Sequence, residues 1–213
     1  MPIEVHRSVV ISLARRPERL RAFRAAWPDP SPLPTPQDVP AVDGRATERP
    51  DWFHESPGAW GCLRSHLRVI EDCLTNGWDS VAVFEDDCLF ADGFTARCAE
   101  FLAAVPDDWE QVYLGGQHLA HPVPVGPLVL RGTNVNRTHA YILRGGDAAC
   151  KVYRHLAGVS HRTKAHVDHW LGELHQSGAV RAYCPTRWLC GQAAGESDIK
   201  DSQPNRPEGW WQP

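Results

Sequence analysis

Ser80-Val81-Ala82-Val83-Phe84-Glu85-Asp86-Asp87 joins a short apolar run to three consecutive carboxylates. The run is rich in β-branched and aromatic residues and reads as a buried strand, with Cys88-Leu89-Phe90 following it. Adjacent carboxylates repel one another and are costly to desolvate, so at a strand's exit they want a cation or open water. Mg²⁺ and Mn²⁺ suit such oxygens and can hold a substrate diphosphate. A solvated acidic turn is the simpler reading of an isolated triplet. The strand before it points instead to the carboxyl end of an open α/β sheet, where ligands bind.

Upstream, Ser8-Val9-Val10-Ile11-Ser12-Leu13 reads as a first strand, apolar enough to be buried on both faces. Pro17 is suited to open a helix running through Leu20, Phe23 and Trp27. Arg15, Arg16 and Arg19 at that helix start form either an anion cradle, with helix amides pointing the same way, or a solvated basic turn. From Pro28 to Pro40 six prolines leave no room for a helix. The segment from Val39 to Arg45 reads as a short strand closing in an Asp43-Gly44 turn, and Asp43 can bond a ribose hydroxyl or simply make the turn. A long helix follows Pro57, with Leu63, Leu67, Ile70 and Leu74 on one stripe, Cys62, His66, Val69 and Cys73 on a second, and Asn76-Gly77 as its stop. Cys62 and His66 lack the partners a zinc site needs, and a buried, hydrogen-bonded His66 is the plainer reading.

Downstream, Gly93 to Val105 is an amphipathic helix, and Gln111-Val112-Tyr113-Leu114 is a strand ending in Gly115-Gly116. Leu128-Val129-Leu130 and Ala140-Tyr141-Ile142-Leu143 read as two short strands flanking Asn134-Val135-Asn136, in a hairpin or at a mixed-sheet edge. Gly145-Gly146-Asp147 opens a further helix. Strands alternating with helices predict an α/β protein with a largely parallel sheet. His166-Val167-Asp168-His169 begins another helix, where the dipole alone accounts for an acid in the first turn. A late strand is expected over Ala179 to Tyr183. Residues 1–199 read as one domain, and Lys200 to Pro213 as an irregular tail, mobile or ordering only over a substrate.

Composition excludes some partners. A formal net charge of -4, with 22 basic against 26 acidic residues, gives no field for a nucleic-acid backbone. The first residues lack the layout of a secretory signal, and no apolar run reaches the length of a membrane span. Seven cysteines without CxxC pairs fit a reduced compartment. A cytoplasmic protein is expected.

Several of these segments, taken in order, resemble glycosyltransferase family 25, the lipopolysaccharide-biosynthesis group that includes the collagen galactosyltransferases. The likeness is carried by VVISLARRPERL (9–20), AVDG (41–44), GAWGCLRSHLRVIEDCL (58–74), VAVFEDDCLF (81–90) and THAYILRGGDAA (138–149), with HVDHWL (166–171) and CGQAAGESDI (190–199) towards the C-terminus. The resemblance implies a GT-A fold, Rossmann-like, using a nucleotide-sugar donor with Mn²⁺ or Mg²⁺. By the same likeness Asp87 is the main metal ligand and Glu85 the second, with Asp86 beside the donor. Arg15, Arg16, Arg19 and Asp43 lie around the nucleotide, Ser65 and His66 line or buttress the donor pocket, and Asp168 is the base for the acceptor hydroxyl. His166, His169, His175, Gln192 and Ser197 compete as the remaining metal ligand.

The expected activity is metal-dependent, inverting transfer of a hexose, galactose first, from a UDP-sugar to a saccharide acceptor such as lipopolysaccharide or another surface glycan. Transfer from another donor to a protein or small molecule is the nearer alternative. A catalytically silent carbohydrate-binding relative is the further one, since fold does not fix function. Trp52, Trp60, Trp170, Trp188, Trp210 and Trp211 are candidates for stacking on a sugar, although most tryptophans are core or rim.

Overall fold

The computed structural model describes residues 2–158, 166–196, 198–199 and 204–205. Its centre is an eight-stranded sheet in the order β2-β1-β3-β8-β5-β9-β7-β6. These strands are β1 (Arg7–Ser12), β2 (Gln37–Pro40), β3 (Ser80–Glu85), β5 (Gln111–His118), β6 (Val123–Pro124), β7 (Val129–Gly132), β8 (Val135–Arg144) and β9 (Ala182–Pro185). A separate pair joins β4 (Cys88–Phe90) to β10 (Cys190–Gln192), antiparallel, with Gln192 opposite Cys88. Two-residue strands β11 (Gly195–Glu196) and β12 (Pro204–Asn205) also pair. The remaining stretches of 200–213, and with them Trp210 and Trp211, lie outside the described residues.

Alternation along the strands feeds two cores. Val9 and Ile11 of β1, Val81 and Val83 of β3, and Tyr141 and Leu143 of β8 face α2 (Pro57–Thr75), α4 (Asp147–Ala157) and α5 (Val167–Gln176). Val10, Ala82, Phe84, Ala140 and Ile142 face the other way, towards α1 (Pro17–Ala26) and α3 (Phe94–Ala104). Both faces are covered, which is why the central stretches 9–11, 81–84 and 140–143 of these strands are apolar throughout.

The sheet is mixed. β1 runs parallel to β2 and β3, and β5 parallel to β9, but β8 runs against both β3 and β5. The segment around 140 is therefore not a sheet edge. It is a ten-residue central strand, starting at Val135 and absorbing Val135 and Asn136 of the stretch between the two expected strands. The late strand begins at Ala182, three residues after its expected start.

Helix ends follow their residues. Pro17 stands at the start of α1, and Ser56 caps α2 by accepting from the Ala59 amide at 3.1 Å. Asn76 and the left-handed Gly77, at φ +63, end α2. Gly61 lets the 41–44 loop lie against α2, since a Cβ there would stand 2.4 Å from the Val42 carbonyl oxygen. All seven cysteines are free thiols. Among the described residues no helix is long and apolar enough to cross a membrane.

Candidate active site

The carboxyl ends of β1 and β3, the 41–44 loop, the start of α2, the start of β8 and the start of α5 enclose a cavity of about 440 Å³. Arg15, Arg19, Asp43, Ser65, His66, Glu85, Asp86, Asp87 and Asp168 all line it, although they are scattered over more than 150 positions of chain. Arg16 faces an adjoining cleft and reaches the same region through Asp198.

Each acid of the triplet has a different environment. Glu85 accepts from the Thr138 hydroxyl at 2.6 Å and from His66 Nε2 at 3.2 Å, both on Oε1. His66 Nδ1 stands 3.0 Å from the Tyr141 hydroxyl, so the ring bridges Tyr141 and Glu85. Burial pushes the Glu85 carboxyl up, but the bonds from His66 and Thr138 outweigh it and hold the group down at about 2. Asp86 accepts from Ser12 Oγ at 2.7 Å and lies 3.6 Å from Arg19 Nη1, and burial leaves it raised. Asp87 is pushed up to about 7, first by burial and then by the charge of Glu85.

Asp87 Oδ2 accepts from Gln192 Nε2 at 3.1 Å, while Asp87 Oδ1 and Gln192 Oε1 are buried acceptors with no donor among the described residues. Orphaned oxygens on two hydrogen-bonded side chains fit a hard divalent cation, which takes oxygen ligands in preference to nitrogen or sulfur. The donor set therefore suits Mg²⁺ or Mn²⁺. Of the other residues considered for that role, His166 and His169 line the cavity. His175 does not, being buried with Nε2 2.9 Å from Gln111 Oε1, and Ser197 lies outside the described residues. Cys62, His66 and Glu85 also bring a sulfur, a nitrogen and an oxygen within 4.8 Å of one another. Burial pushes the Cys62 thiol well up, against the thiolate a metal would need.

The nucleotide-side residues divide into contact and support. Asp43 Oδ2 accepts from Arg15 Nε at 2.9 Å, and its Oδ1 closes the turn by accepting from the Arg45 amide at 3.0 Å, so it makes the turn and also holds Arg15. Ser65 is buried, donating to the Gly61 carbonyl at 2.7 Å and accepting from the Val42 amide at 2.8 Å. It pins the 41–44 loop to α2. Asp168 stands in the first turn of α5, its Oδ1 accepting from the His169 amide at 2.9 Å and its Oδ2 from the Arg137 amide at 3.3 Å. Arg137 holds φ at +81, a strained conformation for any residue other than glycine.

Sequence reasoning did not single out Thr138, Asn136, Arg137 or Asp198, all of which meet the site. Asp198 and Gln192 sit within CGQAAGESDI, and that motif was the available signal. Among the described residues no tryptophan lines the cavity. Trp52 and Trp60 cluster with Phe53, Trp170 is buried, and Trp188 stacks on His118 at 4.8 Å.

Residues 54–121 match the model of glycosyltransferase family 25 (LPS biosynthesis protein). The mouse protein named inactive glycosyltransferase 25 family member 3 (Mus musculus) is 33% identical over a stretch covering 50% of this chain and 21% of that protein. The Bos taurus protein named probable inactive glycosyltransferase 25 family member 3 matches at 33% with the same coverage. The match thus spans about a fifth of those relatives' length. Among solved structures, the inositol-1-phosphate CTP transferase from T. maritima overlays with a TM-score of 0.38 and 12% identity, covering 94% of each chain, too loosely to assign a fold family. The stretch from 54 to 121, which holds the α2 helix, the β3 strand and the acidic triplet, is thus the part of the chain that matches glycosyltransferase family 25, the family the motifs resemble.

Proposed function

We propose that the chain is a GT-A-type, inverting hexosyltransferase that moves galactose from a UDP-sugar to a saccharide acceptor, such as lipopolysaccharide or another surface glycan, in the cytoplasm. The observation that carries this reading is the two donor-less buried oxygens, Asp87 Oδ1 and Gln192 Oε1, in a cavity shared with Arg15, Arg19 and Asp168. Asp87 and Gln192 would hold Mn²⁺ or Mg²⁺, with Glu85 kept ionised close by. When bound, such an ion neutralises charge on a leaving diphosphate.

The chain's own groups do the rest. Arg15 and Arg19 present guanidinium donors for phosphate oxygens. Asp43 offers a carboxylate to a ribose hydroxyl. Asp168 takes the proton of the acceptor hydroxyl as that oxygen bonds to the anomeric carbon and the bond to UDP breaks on the opposite side, which inverts the configuration. Ser65 and His66 act as buttresses, fixing the 41–44 loop and Glu85.

A second reading is a catalytically silent relative that binds nucleotide or sugar without turnover, and it is favoured by the names of the matched mouse and cattle proteins. Calorimetric titration of UDP, first with Mn²⁺ and then with EDTA, tests the donor site, and UDP release from UDP-galactose tests the enzyme. Metal-dependent binding with release supports the transferase. Binding without release, across a panel of acceptors, supports the silent reading, and no UDP binding in either condition overturns the UDP-sugar donor.

A further inference from the structure

The arginines expected to meet the donor already meet an anion. Asp198 Oδ1 lies 2.7 Å from Arg15 Nη2, while Asp198 Oδ2 lies 3.1 Å from Arg16 Nη1 and 3.6 Å from Arg19 Nη1. Its side chain is only 14% exposed. A carboxylate engaged on both oxygens by three guanidinium groups has the donor arrangement that suits a phosphate, because both anions offer paired oxygens to the planar fork.

The backbone at Asp198 is seated as well. Ser56, the cap of α2, donates its hydroxyl to the Ile199 carbonyl. Gly58 leaves the space the strap needs, since a Cβ there would stand 1.8 Å from the Asp198 carbonyl oxygen. Both Asp198 and Ile199 line the cavity, so this two-residue strap crosses it from the arginines to the start of α2.

We propose that Asp198 is a built-in competitor of the donor: its carboxylate stands in the arginine cradle as a diphosphate surrogate, and an entering diphosphate displaces it and frees the strap from α2. The inference rests on the donor reading for the nucleotide's identity, but the cradle's preference for a diphosphate can be measured without one. The competition lowers apparent affinity by the fraction of molecules in which the strap is already displaced. It also couples donor entry to uncovering of the cavity beside Asp168, so an acceptor would meet an open site only after the donor had arrived.

Calorimetry with inorganic pyrophosphate in EDTA, and with UDP in Mn²⁺, on the wild-type protein, Asp198→Asn and Gly58→Ala tests this. Asp198→Asn removes the competing charge, and Gly58→Ala pushes the strap away while keeping every charged group. Both are expected to bind pyrophosphate about tenfold tighter than wild type, as a cradle freed from a mostly closed strap should. Equal or weaker pyrophosphate binding by the two variants overturns the proposal, since Asp198 would then belong to the site as a supporting group. Tighter pyrophosphate binding with no UDP binding by any of the proteins leaves the displacement standing and removes the UDP reading. UDP binding by all three with no tightening of either ligand does the reverse.

Discussion

Gln192 donates its Nε2 to Asp87 Oδ2 across 3.1 Å, tying β10 to the acidic triplet 105 positions earlier in the chain. The other oxygen of each side chain is buried with no donor among the described residues. Replacing Asp87 by Ala is expected to abolish Mn²⁺-dependent UDP binding while the fold persists. Gln192→Leu should weaken the same binding by about 10- to 100-fold. Titration calorimetry with and without EDTA reads both, and wild-type affinity in Asp87→Ala would remove the metal assignment.

Asp168 is held by two backbone amides, so its orientation does not depend on the donor. Asp168→Asn keeps one of the two acceptor oxygens, sets an NH2 in place of the other, and loses the capacity to take a proton. Donor binding should stay within about twofold, while transfer falls by about 100- to 10,000-fold, the range for losing a general base. Full turnover would mean that another group deprotonates the acceptor.

Thr138 lends Glu85 its shortest hydrogen bond, 2.6 Å, from a side chain only 7% exposed. Thr138→Val keeps the volume and removes the donor to an ionised, largely buried oxygen. The expected cost is about 1–3 kcal/mol in urea unfolding at neutral pH. A change below about 0.5 kcal/mol, the scale of an ordinary surface substitution, would show that His66 alone satisfies the carboxylate.

His175 sets an acid limit on stability. Burial pushes the ring down to about 3, and its nitrogens are engaged by the Gln111 side chain and the Val135 amide. The unfolded chain takes up that proton near pH 6.5, so between about 6.5 and 3 it binds more protons than the folded one, and stability falls as pH drops through that window. His175 alone contributes up to about 1.4 kcal/mol per pH unit there. His139, pushed down to about 4 by burial, acts in the same direction. Urea midpoints at several pH values should therefore slope less steeply in His175→Gln than in wild type, and equal slopes would count against a neutral His175.

The elements with strong periodicity were legible from the residues alone. The stripes of α2, the apolar runs of β1 and β3 and the proline that opens α1 each announce a local preference that packing then uses. The direction of β8 was not legible, because an apolar run buried on both faces looks the same in either orientation. Strands β4 and β10 are three residues each, too short to carry a period, and exist through their pairing. At the site, residue types and motif order brought out the triplet, the arginines and Asp168. The roles of Thr138 and Asp198 depend on partners 53 and 182 positions away, and no local pattern encodes such a distance.

The chain separations give the site an order of assembly. A polypeptide leaving the ribosome presents Ser12, Arg19 and His66 before the triplet, so Asp86 and Glu85 emerge with part of their company already made. Thr138 comes later, and Gln192 and Asp198 come last. Until then Asp87 has Arg19 at 4.0 Å but not the Gln192 amide, and its burial must wait for the final stretch of synthesis. A nascent chain that had just produced β9 would possess every strand of the large sheet and still lack a finished centre.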